Sequence, residues 1–122
     1  MPDEGDPFPA LLGAVDKLRQ DFDAGVLELD PMLGTLSSEP FERLLAGRFD
    51  SSWADERLAG AGFRGPHGVL ACSEARLALC VDGWMRRAES RALLLDPTVT
   101  LAGGQAAHAG DRVVAVLALA EP

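Results

Sequence analysis

Few residues in this chain have the type and spacing that chemistry needs. Cys72 and Cys80 are the only thiols, and neither has a histidine near it in sequence to take its proton, so neither reads as a catalytic thiolate. Ser73 can cap the helix that follows, which leaves Cys72 just outside it and Cys80 two turns along, facing inward. That separation exceeds the roughly 5.5 Å between Cα atoms that a disulfide spans. The sequence therefore predicts two free, at least partly buried thiols. His67 and His108 are the only imidazoles, and with cysteines at this spacing they match no four-ligand zinc pattern. Ser90, Asp96 and His108 carry the groups of a hydrolase triad, but no nucleophile elbow or glycine-rich oxyanion turn frames Ser90. Ser90 reads instead as a helix cap, with Arg91 pairing to Asp96 or Glu89. Gly103-Gly104 lacks the Lys-Ser/Thr of a phosphate loop and reads as a strand bulge. Arg86-Arg87 is a contact patch or, more simply, a solvated helix end favoured by the dipole. His67, between Pro66 and Gly68, reads as a surface loop residue.

These residues are held by elements legible from apolar spacing. Leu77, Cys80, Val81, Trp84 and Ala88 form one helical stripe, followed by a short helix over 90–95 that Asp96-Pro97 closes. Before it, Phe8, Leu11, Leu12, Val15, Leu18 and Phe22 predict a core helix that Gly25 stops, with Asp16, Lys17, Arg19 and Asp23 largely on its wet side. Asp30-Pro31 is a cap followed by proline at the first helical position, with Met32, Leu33 and Leu36 inward. Pro40 inside a helix would cost about 3 kcal/mol, so a second short helix capped by Ser38 carries Phe41, Leu44 and Leu45 and ends at Gly47. Trp53 to Ala61 is a further helix with Ser52 as cap. Val69-Leu70-Ala71-Cys72 reads as an inner strand. The run Val113 to Ala120 is continuously apolar, the mark of a strand covered on both faces. It follows Val99 to Ala107 across a four-residue turn, so the two are antiparallel neighbours. Helices on both faces of such a sheet predict an α+β fold, a three-layer α-β-α sandwich with a small antiparallel sheet.

The 122 residues suit one domain, and 48% apolar composition supports one core without a metal or disulfide staple. Residues 1–9, rich in proline and acid, form a flexible arm, and 10–122 the domain. A net charge of −8 repels phosphate backbones, which argues against nucleic acid as a partner. No stretch reaches the roughly 20 apolar residues of a membrane span. The N-terminus is acidic where a secretory signal is basic and then apolar. As written the chain reads as cytoplasmic, or as secreted or cell-envelope if a signal has been trimmed.

The order of parts resembles the CAP superfamily (cysteine-rich secretory proteins, antigen 5 and pathogenesis-related proteins), in particular its bacterial SCP-like branch, from about Leu12 to Ala120. Gly25, Leu29, Asp30, Pro31 and Leu33 follow a phrase of that branch, as do Arg57, Leu58, Ala61, Gly62 and Phe63. The most specific match is Val81, Trp84, Met85, Arg91, Leu94, Leu95, Asp96 and Pro97, with a shifted Gly103-Gly104. The resemblance implies an α-β-α sandwich with a cleft of two histidines and one or two glutamates that hold a divalent metal. The matching positions here are Asp50, Ser51 and Ser52 in one loop, Val69 where a glutamate is expected, and Ser90 where a histidine is expected. With those ligands lost, no first shell remains for zinc or a harder ion, and no cofactor is expected.

Two functions stay open from the sequence. One is a non-catalytic CAP-like module or scaffold that binds another protein through a degenerate cleft lined by Asp50, Trp53, His67, Val69, Ser90 and Arg91. The other is a cryptic hydrolase, or a binder of a small molecule or lipid, using different residues in that cleft. Val69 favours the first, since it removes a carboxylate and supplies no base.

Overall fold

The strand Arg112–Ala120 (β4) is buried without a break from Val113 onward, because it is an inner strand whose two faces are both covered. The computed structural model describes residues 6–122. Its sheet has four strands in the order β1-β3-β4-β2, where β1 is Glu28–Leu29, β2 His67–Glu74 and β3 Leu101–Ala109. β3 and β4 form the expected antiparallel hairpin, closed at Ala109 and Arg112 around Gly110 at φ 65°. β2 lies antiparallel on the other side of β4, from His67 opposite Ala120 to Glu74 opposite Val113. β1 pairs with β3 in parallel, so the sheet is mixed rather than antiparallel. The chain between β1 and β3 is long enough to return to the same end of the sheet, which a parallel pair requires.

Alternate residues of β4 feed two cores. On one face Val114, Val116, Ala118 and Ala120 pack with Leu33, Phe41, Ala54 and Leu58, from helices α2 (Pro31–Leu36), α3 (Ser38–Leu45) and α4 (Ser51–Gly60). On the other, Ala115, Leu117 and Leu119 pack with Phe8, Leu11, Val15, Trp84 and Leu94, from α1 (Phe8–Asp21), α5 (Leu77–Arg86) and α6 (Ala88–Leu95). The result is the three-layer α-β-α sandwich. None of the described helices is long and apolar enough to cross a membrane.

Several local expectations hold. Asp30 caps α2 by accepting from Leu33 N at 3.1 Å, with Pro31 first in the helix. Gly47, at φ 73°, follows α3. Trp84 is buried to 3% exposure, and its Nε1 donates to Ala71 O at 3.1 Å, tying α5 to β2.

Others are corrected. Val69 to Cys72 lies in the edge strand β2; its apolar character reflects helices over both faces, not a strand on each side. Ser37, not Ser38, joins α2 to α3, with its hydroxyl donating to Gly34 O, and Asp50, not Ser52, caps α4. Met32 points to solvent. Gly103 and Gly104 form no bulge, since pairing with β4 runs through them unbroken. They permit close approach instead: a Cβ on Gly103 would strike the α2 backbone at Gly34, and one on Gly104 the Phe8 ring. Of the expected arm, residues 1–5 lie outside the described residues, while Phe8 and Pro9 already belong to α1.

The largest corrections concern Arg19 and the cysteines. Arg19 is fully buried, on the same stripe as Leu11 and Val15. Its Nε donates to Gly25 O, Nη1 to Leu94 O and Asp96 O, and Nη2 to Ala24 O and Val99 O, at 2.6 to 3.4 Å. All five donors of the fork are thereby used. Burial pushes the guanidinium's pKa down, opposed by the charges of Asp16 and Asp96. Cys72 and Cys80 are bonded to each other, their Cα atoms 5.5 Å apart. Ser73 does not cap a helix, because β2 continues through Glu74 and α5 begins only at Leu77. Cys80 therefore sits one turn into α5, close enough to reach back to the strand.

Candidate cleft beside the edge strand

The two helix layers do not meet over the free edge of β2. Between them lies a cleft of about 1020 Å³, floored by residues 66–74 and walled by α4 on one side and by α5 and α6 on the other. Of the six residues expected there, His67, Val69 and Ser90 line it. His67 opens β2 rather than sitting in a surface loop, half-buried, with Nδ1 2.8 Å from Gly65 O. Ser90 is the third residue of α6 and not its cap.

The other three lie elsewhere. Asp50 is exposed and occupied by capping Ser52 N and Trp53 N at 2.9 and 3.3 Å. Trp53 is covered by the guanidinium of Arg43, 3.6 Å from the ring centroid, and Glu39 holds Arg43 and Arg57 at 3.7 and 3.2 Å. Arg91 makes no ion pair with Asp96 or Glu89; it lies over the Phe22 ring and borders a separate depression with Met85, Arg86 and Leu95.

Asp55, and Glu89, which the sequence offered only as a partner for Arg91, also line the cleft. Asp55 accepts from Val69 N at 3.0 Å. Burial pushes its carboxyl pKa above the ordinary carboxylate value and the negative charge of Glu89 adds to this, while the Val69 hydrogen bond and nearby His67 oppose it. Two carboxylates and an imidazole thus share one field, where the resemblance implied a metal site built from other positions. No group of three His, Cys, Asp or Glu among the described residues is placed to hold a metal ion. The signal for Asp55 was weak: an acidic residue on a short helix ordinarily faces water.

The bridge is part of this site, since both cysteines line the cleft. Bonded to each other, they offer neither a nucleophile nor a metal ligand.

No family model and no curated protein sequence matches this chain. Solved structures do. The chain is similar to an outer surface protein from Borrelia burgdorferi, with TM-score 0.77 and 18% identity over 99% of this chain and 97% of that one. It is also similar to a cysteine-rich secretory protein from Staphylococcus aureus subsp. aureus Mu50, with TM-score 0.75 and 16% identity over 99% of this chain and 41% of that one. The class defined by these likenesses is the CAP-like fold, as the sequence resemblance implied. At such identities the likeness concerns architecture alone.

Proposed function

We propose that this domain is a non-catalytic CAP-like binding module whose ligand site is the cleft beside β2, and whose ligand is another protein. The observation that carries this reading is the engagement of the cleft's reactive groups. The Asp55 carboxylate holds Val69 N, His67 Nδ1 is against Gly65 O, and Cys72 is bonded to Cys80. A nucleophile with its base in hydrogen-bond reach, which covalent catalysis needs, is not among these contacts. The bridge also supports an exported location, because structural disulfides persist in oxidising compartments and are rare in reducing cytosol.

The test is a map of backbone amide resonances during titration with a fragment and peptide set. Ligands should perturb residues 51–55, 67–73 and 89–93 together. Perturbations confined to any other face would overturn the assignment of the site. A second reading, a cryptic hydrolase, is favoured by one observation: a carboxyl of raised pKa beside an imidazole is the arrangement of a general acid–base pair. Turnover of an ester, amide or phosphoester substrate that Asp55→Asn abolishes would establish it in place of the first.

A further inference from the structure

The edge of β2 at the cleft floor has a defined hydrogen-bonding parity. Pro66 O accepts from Glu121 N, next to β4, so even-numbered β2 residues turn their backbone groups toward β4. Odd-numbered residues turn theirs outward, as Asp55 on Val69 N and Trp84 Nε1 on Ala71 O confirm. Between those two occupied positions lie Val69 O and Ala71 N, an acceptor and a donor with no partner among the described residues. Their spacing is that of a parallel ladder, in which one residue of the incoming strand donates to the residue before its opposite number and accepts from the residue after it. The walls beside them carry the carboxylates of Asp55, Glu89 and Asp96, and the floor that of Glu74, against Arg87 and His67, with Arg112 held on Ser73 O further along the strand, on a chain of net charge −8.

We infer that the cleft takes an extended, basic peptide segment, which adds to the sheet parallel to β2 with one residue opposite Leu70. That residue's N–H donates to Val69 O and its C=O accepts from Ala71 N–H, while lysine or arginine side chains meet the carboxylate walls. Main-chain pairing supplies affinity and the walls supply selectivity, as in other strand additions. This deepens the proposed binding role and rests on the cleft being the ligand site.

The experiment uses the oxidised protein and two blocked peptides, one alternating lysine with valine and one alternating glutamate with valine. At about ten times its Kd the lysine peptide should slow amide hydrogen exchange at Ala71 about tenfold, by mass action, and the glutamate peptide should leave it unchanged. N-methylating the peptide residue that donates to Val69 O should abolish binding, and methylating its neighbour should not. Ala71→Pro removes the donor at an outward-facing edge position that proline tolerates, and should weaken the peptide at least tenfold; the methylated peptides test the same bond if that variant fails to fold. Equal binding of both peptides, or binding without protection at Ala71, overturns the inference. A fragment that perturbs the cleft while the lysine peptide does not bind overturns the peptide and leaves the binding module standing. Absence of any cleft ligand overturns both.

Discussion

The guanidinium of Arg19 donates to the carbonyl of Val99, 80 residues further along the chain, at 2.7 Å. The same fork holds Ala24 and Gly25 behind α1 and Leu94 and Asp96 at the end of α6. One side chain thus joins the first helix to the loop that enters β3. Each buried carbonyl left without a donor costs about 1 to 3 kcal/mol, and a domain of this kind has about 5 to 15 kcal/mol of stability in all. Arg19→Met should therefore unfold the protein or bring its urea midpoint close to zero. Arg19→Lys, with three donors on a point charge, should fall between. A midpoint for Arg19→Met near that of the wild type would show that solvent replaces the fork.

Position on the stripe and residue type disagreed at Arg19, and type misled. It follows Val15 by four residues and Leu11 by eight, so periodicity alone puts it inside. A charged residue is seldom fully buried without a partner, and its partners are carbonyls of loops that no local pattern announces. The hairpin, the Asp30 cap and the Trp84 stripe were legible because each is written in neighbouring residues. The end of β2 was not, because Ser73-Glu74 has the chemistry of a helix start. The strand continues there only because β4 supplies partners as far as Val113. The site suffered likewise, for Asp55 and His67 meet across 12 residues and a change of element.

The bridge makes a prediction about thiols. The oxidised protein should show no free thiol to a maleimide probe, folded or in denaturant, until a reductant is added. Cys72 and Cys80 close a short loop, for which chain entropy gives about 2.5 kcal/mol of stabilisation. Reduction, or replacing both with serine, should lower the unfolding free energy by about that amount. Two thiols that label in denaturant without reductant would contradict the bridge.

Trp84 makes a prediction about the join between α5 and β2. Trp84→Ala empties a buried indole and should cost roughly 3 to 5 kcal/mol. Trp84→Phe keeps most of the volume but leaves Ala71 O without its donor, and should cost about 1 kcal/mol or somewhat more. Chemical denaturation followed by circular dichroism reads both. Equal losses would assign the tryptophan's contribution to its hydrogen bond alone.

Asp55 makes a prediction about pH. Its folded pKa lies above its unfolded value of 3.8, so the folded state holds the proton more tightly. The stability this brings is complete below the unfolded pKa and is lost as pH rises through the folded one. Asp55→Asn stays neutral throughout and can still accept from Val69 N. Its stability relative to the wild type should therefore rise from acidic to neutral pH, read as the difference in urea midpoints across that range. A difference that shrinks as pH rises would mean that the hydrogen bond and His67 outweigh burial.

The strand β4, flanked by β3 and β2, is also the sheet's last in sequence. α1 docks against Leu117 and Leu119, and β1 reaches the sheet only through β3, which itself leans on β4. The amino-terminal helices therefore cannot complete their native packing until residue 120 has been made. The native contacts are long-range, and loops must close before those contacts repay the cost. Such a nascent chain is held open for longer than one that folds from its beginning. That interval is when the chain is most exposed to aggregation.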